Sequence, residues 1–198
     1  MKHAVWGFLV LTSGCMGALK SDYPERRYYT LAAERSGSAA PAAKEGVLRV
    51  RRFTASKLSE GTEIVSRTAE AEYETDFYNA FFAPPASQLT EQTHRWLGSS
   101  GLFSAVVGTG SSLPETHVLE GNLIALYADR RQSTVAVMEI QFMLVRVTGD
   151  SSGAVFQKTY REGVAVTENG AEGVVRGWNG ALGRILAALE ADLSKVKK

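Results

Sequence analysis

Three consecutive segments of alternating hydrophobicity, followed by a long helical pattern, constrain the fold of this chain more than any other feature. The segments run from Val118 to Ala128, from Ser133 to Val147 and from Val155 to Val166. A period of two is typical of β-strands, and the short polar connections 129–132 and 149–153 suit hairpins. The pattern therefore predicts an antiparallel meander of three long strands.

The middle segment is apolar on both faces, which is typical of a central strand whose two sides are covered. We therefore expect it to lie between the other two. Its first face carries Ala136, Met138, Ile140, Phe142 and Leu144, and its second carries Val135, Val137, Met143 and Val145.

A C-terminal helix is predicted from about Ala171 to Lys195, with one apolar stripe that would cover a face of the sheet. Three glycines, Gly173, Gly177 and Gly180, share a different face of this helix. Glycine weakens a helix by up to about 1 kcal/mol relative to alanine. Their alignment indicates either a helix-packing or oligomer face, or a chance arrangement with a frayed first turn. The stripe consists of Val174, Trp178, Leu182, Ile185, Leu189 and Leu193.

The N-terminal half predicts shorter elements. Strand patterns cover 28–34, 47–53 and 63–69, and a short buried strand covers 105–107. Pro84-Pro85 starts a mid-chain helix, because proline costs nothing in a first turn, and Gly98 is a suitable C-terminal cap. The predicted fold class is α/β of the α+β type: one domain with a mainly antiparallel sheet, one mid-chain helix and one C-terminal amphipathic helix packed on the sheet.

The densest aromatic stretch of the chain precedes this mid-chain helix. Its spacing fits a helix face, yet Tyr and Phe also favour strands, so periodicity leaves both assignments open. The side chains belong either to the core or to an exposed surface that contacts a partner or lipid. They are Tyr73, Phe77, Tyr78, Phe81 and Phe82.

The N-terminus has the anatomy of a secretory signal, with a basic start and a short apolar run that ends at the only cysteine, Cys15. Leu11 to Cys15 resembles a bacterial lipobox, which implies residues 1–14 as signal peptide and 15–27 as a lipidated tether to a domain over 28–198. The resemblance also implies a diacylglycerol and an N-acyl chain on Cys15. Met16, which is not aspartate, resembles the signal for sorting to the outer membrane. Two or more acyl chains hold a protein stably on a membrane.

Composition agrees with one soluble domain, and a chain of 198 residues, less the signal, fits a single core better than two. The net charge of +1 does not indicate a nucleic-acid partner or an electrostatic grip on anionic lipid. With Cys15 acylated, no cysteine is left for a disulfide, so stability must come from a core, and 44% hydrophobic residues are enough to build one.

No spacing of residues predicts a catalytic centre. His94 and His117 have no second ligand at metal-binding spacing, and Gly98-Ser99-Ser100-Gly101 reads as a helix-ending turn. We therefore expect a protein that is not an enzyme and has no metal or cofactor beyond its acyl chains.

The ordered set of patterns resembles the PqiC-like auxiliary lipoproteins of ABC-type, MCE-linked lipid transport. The resemblance implies a non-catalytic subunit on the periplasmic face of the outer membrane, working with an inner-membrane ABC transporter and a periplasmic MCE-domain protein, and open to homo-oligomerisation. The alternative is a lipid-anchored envelope hydrolase or small-ligand-binding protein. The residues that carry the resemblance are Cys15, Tyr28-Tyr29-Thr30-Leu31, Val47 to Phe53, the aromatic stretch, Trp96-Leu97, Gly101-Leu102-Phe103 and Val106.

Overall fold

The computed structural model describes residues 25–37, 46–149 and 151–196; the predicted signal peptide, Cys15 and Met16 lie outside them. The described residues form nine strands and two α-helices around one main core. The elements are β1 (Arg27–Tyr29), β2 (Val47–Val50), β3 (Thr54–Ala55), β4 (Glu63–Arg67), β5 (Tyr73–Phe81), α1 (Pro85–Ser100), β6 (Ala105–Val107), β7 (His117–Asp129), β8 (Val135–Thr148), β9 (Ser151–Ala165) and α2 (Gly170–Leu193).

The predicted meander is confirmed. Strands β7, β8 and β9 pair antiparallel in sequence order, and β8 lies between its two neighbours. The register places Leu123 of β7 opposite Ile140 of β8, and Ile140 opposite Tyr160 of β9. These three side chains point to the same face, as directly opposed residues must.

The other edge of β7 carries three short strands one after another. Leu48 of β2 lies opposite His117, Thr54 of β3 opposite Asn122, and Ser66 of β4 opposite Ala128. All three pairings are parallel, so the sheet is mixed, although its longest pairings are antiparallel. From this point the sheet forks, because β6 extends β2 while β5 and then β1 extend β4.

Both helices lie on one face of the sheet, which confirms the predicted fold class. The apolar stripe of α2 packs on β8 and β9 and meets Met138 and Phe142 of β8 in one buried cluster. Each large apolar side chain buried here contributes about 1.5–3 kcal/mol relative to exposure. No helix of the described residues has the length and hydropathy to cross a membrane.

Helix α1 begins as predicted at the proline pair but ends two residues beyond the expected cap. Gly98 lies inside the helix, and Gly101 caps it with a φ of 80°. That left-handed conformation is strained for any residue with a Cβ, which explains why the helix stops at Gly101.

The first predicted strand is shorter than its sequence pattern indicates. Pairing stops at Tyr29, because the next backbone N–H groups bond to side chains of α1 instead of another strand. Leu31 N–H donates to Gln88 Oε1 at 2.7 Å, and Ala33 N–H donates to Gln92 Oε1 at 3.2 Å. Residues 30–36 therefore run over the helices as an extended strap.

Candidate interaction surface beside the tether

Strand β5 contains a large bulge that sequence periodicity does not reveal. Glu63 of β4 lies opposite Ala80, whereas Val65 lies opposite Thr75. Residues 76–79 of β5 therefore occupy the space opposite the single residue between Glu63 and Val65. A bulge of this kind leaves extra residues unpaired and changes the direction of their side chains.

The carboxylate of Asp76 holds the bulge in shape. Its Oδ1 accepts the backbone N–H of Tyr78 at 2.9 Å and that of Asn79 at 3.0 Å, and its Oδ2 accepts the Asn79 side-chain amide at 2.9 Å. Asn79 Oδ1 in turn accepts the hydroxyl of Tyr29 in β1 at 3.1 Å. The four residues that have no partner on β4 are thus tied to the edge strand β1, both by the hydrogen bond from Tyr29 and by the pairing of Asn79 with Arg27.

The bulge presents two neighbouring aromatic rings to solvent. Phe77 is 76% exposed and Tyr78 is 44% exposed, and their ring centroids lie 5.2 Å apart in an edge-to-face pair. A second edge-to-face pair follows along the same edge, where Tyr28 is 58% and Phe82 is 76% exposed, with centroids 6.4 Å apart. We call these four residues the tether-side aromatic surface. Exposed apolar clusters of this kind mark interaction sites on proteins.

This surface lies where the predicted tether enters the domain. The first described residue, Glu25, is two positions before β1, and nine residues (16 to 24) separate it from Cys15. A fully extended chain of that length reaches about 30 Å. Arg26 adds a positive charge, with its guanidinium carbon 5.8 Å from the centroid of the Tyr28 ring. The aromatic surface is therefore within one tether length of the predicted anchor.

The remaining two members of the aromatic stretch do not belong to this surface. Phe81 is only 2% exposed, and its ring packs on Trp178 with centroids 5.5 Å apart. Tyr73 is 38% exposed, and its ring lies edge-to-face at 5.8 Å from that of Tyr127, a member of a small buried cluster on the open face of the sheet. The stretch is a strand, and its residues divide between core and surface.

The three glycines of α2 have separate environments. A Cβ at Gly177 would lie 2.7 Å from the Cβ of Ala136 on β8, so this glycine lets helix and sheet approach within one chain. A Cβ at Gly173 would lie 2.4 Å from the carbonyl oxygen of Glu168. Gly180 faces open space. The close packing is therefore intramolecular at Gly177, and only Gly180 lies on an open side of α2.

A groove of about 570 Å³ between the strap, α1 and α2 was not predicted from the sequence. The guanidinium of Arg35 in the strap donates two hydrogen bonds to the carboxylate of Glu190, at 2.9 and 2.8 Å. Trp96 Nε1 donates to the same carboxylate at 2.7 Å. The hydrogen bonds from Arg35, together with that from Trp96, lower the pKa of Glu190 despite its partial burial. The remainder of the groove is lined by residues that include Gly180, Arg184 and Leu102. The groove joins the strap to both helices.

The two histidines among the described residues lie in different elements. His94 lies in α1 and His117 at the start of β7, where burial lowers its pKa. The described residues contain no group of three or more His, Cys, Asp or Glu side chains that could hold a metal ion.

Removing the Asp76 carboxylate is expected to loosen the bulge. Asp76→Ala leaves the N–H groups of Tyr78 and Asn79 without their acceptor and should cost about 1 kcal/mol of unfolding free energy. Hydrogen exchange at these two amides should accelerate at least about fivefold, because local opening becomes easier. Asp76→Asn keeps one oxygen acceptor and serves as the control with the smaller change. Unchanged protection in Asp76→Ala would show that pairing with β1 alone holds the bulge.

Comparisons with known proteins bear on the fold. No protein-family model matches the chain, and neither does any curated protein. Protein XCC0632 from Xanthomonas campestris, described under the family model DUF330, superposes with a TM-score of 0.70 and 16% identity over 82% of this chain and 92% of that chain. An uncharacterised protein superposes with a TM-score of 0.67 and 13% identity over 85% and 99%. At these identities the likeness shows a shared fold.

One further structural neighbour is an assembly. A PelC dodecamer from Paraburkholderia phytofirmans superposes with a TM-score of 0.48 and 10% identity over 83% of this chain and 97% of that chain. This similarity is too low to transfer its assembly to the present chain.

The comparisons contradict the family assignment made from the sequence. The fold neighbours are described as a DUF330 protein and an uncharacterised protein, and no family model or curated sequence supports a PqiC-like assignment. The segments that carried the resemblance are short, and the place of each in the fold is enough to explain its apolar residues. Tyr28 and Tyr29 form a sheet edge, and Trp96 packs in the core and bonds to Glu190. Apolar segments in such roles recur in unrelated families that share a fold.

Proposed function

We propose that this protein is a lipid-anchored, non-catalytic auxiliary subunit of an envelope transport system for lipids or other apolar molecules. It acts at the periplasmic face of the outer membrane, held by acyl chains on Cys15, and it binds a periplasmic MCE-domain protein that works with an inner-membrane ABC transporter. The observation that supports this role is the tether-side aromatic surface. Aromatic residues are enriched at the centre of protein–protein interfaces.

The aromatic surface has the properties of a binding hot spot. Its rings are large, and the bulge that carries two of them is held by the hydrogen bonds of Asp76, so little conformational freedom is lost on binding. Aromatic residues dominate the energetics of protein interfaces. Burying a phenylalanine fully contributes about 1.5–3 kcal/mol.

The double substitution Phe77→Ser and Phe82→Ser is expected to weaken partner capture at least about tenfold, because both rings would be lost from the contact. Co-purification from detergent after crosslinking in cells measures the recovered MCE-domain protein. Leu113→Ser is the matched control, since Leu113 is also an exposed large apolar residue but lies between β6 and β7. The unfolding midpoint of both variants should match that of the unmodified protein.

Two outcomes would count against this role. Isolation of the unmodified protein without any envelope partner after crosslinking would contradict the auxiliary-subunit proposal. An equal loss of partner recovery in the aromatic variant and in Leu113→Ser would show that the tether-side aromatic surface is not the contact.

The groove beside Arg35 is the observation that favours the alternative, a small-ligand-binding protein of the envelope. It combines the apolar Leu102 and the indole of Trp96 with two arginines and two glutamates, a set that suits an amphiphile carrying both charges; the charged residues are Arg35, Arg184, Glu34 and Glu190. Saturable quenching of Trp96 emission by such an amphiphile, abolished in Arg184→Gln, would support that alternative.

A further inference from the structure

Strand β9 forms a long free edge of the sheet. It spans Ser151–Ala165 and pairs with β8 on one side, and among the described residues no strand pairs with its other side. Unpaired backbone groups along an edge are a template for another strand. The part of β9 after its irregularity near Val155 contains no proline, so every second residue there directs a backbone N–H to the free edge.

The charges on β9 select one self-complementary register. Its only acidic residue is Glu162, and Lys158 lies on the same face, which is the face of the helices. Lys158 is 50% exposed and bonds to Asp192, and Glu162 is 35% exposed and lies 3.8 Å from Arg184. When two antiparallel copies of β9 are related by a two-fold axis, the residue on the axis lies opposite its own copy. A residue n positions before it then lies opposite the residue n positions after it in the other copy. Lys158 lies opposite Glu162 only when that axis passes through Tyr160.

The same register also matches apolar residues. With Tyr160 on the axis, Phe156 of each copy lies opposite Val164 of the other, and both side chains are partly buried against the core of their own chain. Opposed charges and opposed apolar residues each stabilise an antiparallel pair. Complementarity of a strand to itself indicates a second copy of this chain as the occupant.

We propose that β9 of one copy pairs antiparallel with β9 of a second copy about a two-fold axis at Tyr160, forming one continuous sheet across a homodimer. Each interface then contains two Lys158–Glu162 pairs and two Phe156–Val164 pairs. The tether-side aromatic surface lies on the far edge of the sheet, at β1 and β5, so both copies keep it available. This dimer does not depend on the transport role or on the lipid anchor.

Charge reversal tests the register. Sedimentation equilibrium of the full-length chain carrying Cys15→Ser should give a dimer, and Lys158→Glu should raise its dissociation constant about tenfold or more, because two attractions become two repulsions. Adding Glu162→Lys restores opposite charges and should return the dissociation constant to within about threefold of its value before the two charge reversals. Asp192→Asn removes the ion pair within the chain but not the contact between copies, so it should leave the constant unchanged. An equal rise of the dimer dissociation constant in Asp192→Asn and in Lys158→Glu would overturn the proposal.

Crosslinking provides a test that does not rely on charge. In the proposed dimer, the Cα atoms of Thr159 in the two copies lie about 8 Å apart, and those of Gln141, the neighbour of Thr159 on β8, lie about 16 Å apart. Thr159→Cys should therefore be linked efficiently by a bismaleimide of about 8 Å reach, and Gln141→Cys should not. A chain that is monomeric at all concentrations, or that crosslinks equally at both positions, overturns the proposal.

Discussion

Replacing Cys15 with serine is expected to move the protein from the membrane pellet to the soluble fraction without unfolding it. Serine cannot receive a diacylglycerol, so the variant would lack the predicted acyl chains, and each buried methylene contributes about 0.8 kcal/mol to membrane binding. No described helix can replace that anchor by crossing the membrane. Fractionation of cells, followed by urea unfolding of the released protein, measures both parts of this expectation.

The matched control for this experiment is Ser13→Ala, which keeps a small residue before the cysteine and should leave the protein in the pellet. Persistence of Cys15→Ser in the membrane fraction would disprove the anchor. Loss of its cooperative unfolding would show that the N-terminal segment stabilises the domain, contrary to the predicted role of a tether.

Trp178→Ala is expected to destabilise the domain by about 3–5 kcal/mol, the range for removing a large aromatic residue from a core. Trp178 of α2 is fully buried, packs on Phe81 of β5, and donates its indole N–H to the carbonyl oxygen of Val137 on β8 at 3.1 Å. It therefore joins the helix to both the central strand and the N-terminal branch of the sheet. Chemical denaturation followed by far-UV circular dichroism gives the change in unfolding free energy.

Trp178→Phe separates packing from hydrogen bonding. It keeps an aromatic ring in the cavity but removes the N–H donor to Val137, and it should cost about 1–2 kcal/mol. If Trp178→Ala costs no more than Trp178→Phe, the indole packing contributes little and the core must readjust around the cavity.

The C-terminal half of the fold could be predicted from the sequence, whereas the N-terminal half could be predicted only in part. Strands β7 and β8 and helix α2 have long patterns, and each pattern follows from the burial of the element against the rest of the domain. The strand predicted over 28–34 ends at Tyr29, because Gln88 and Gln92 take over its backbone donors. That competition depends on tertiary contacts more than 50 residues away in sequence, and a local pattern cannot report them.

The candidate site shows the same division. The aromatic stretch was predicted as a group, but which ring enters the core depends on the bulge, and the bulge depends on Asp76. A signal for it was present, since Asp76 and Asn79 interrupt a strand pattern with two residues that favour turns. From the sequence, Tyr28 is predicted only as part of a strand. Its contact with Phe82 depends on the register between β1 and β5, which the sequence pattern does not reveal. The roles of Cys15 and Met16 stay predictions.

The forked sheet has a consequence for how the chain folds while it is being synthesised. Strands β2, β3 and β4 all complete their pairing on β7, whose residues follow them by more than 60 positions in sequence. Contacts of such separation form slowly, whereas the β7–β8–β9 hairpins close locally. The N-terminal strands are therefore synthesised before the edge that receives them, and they remain without it until β7 has also been made.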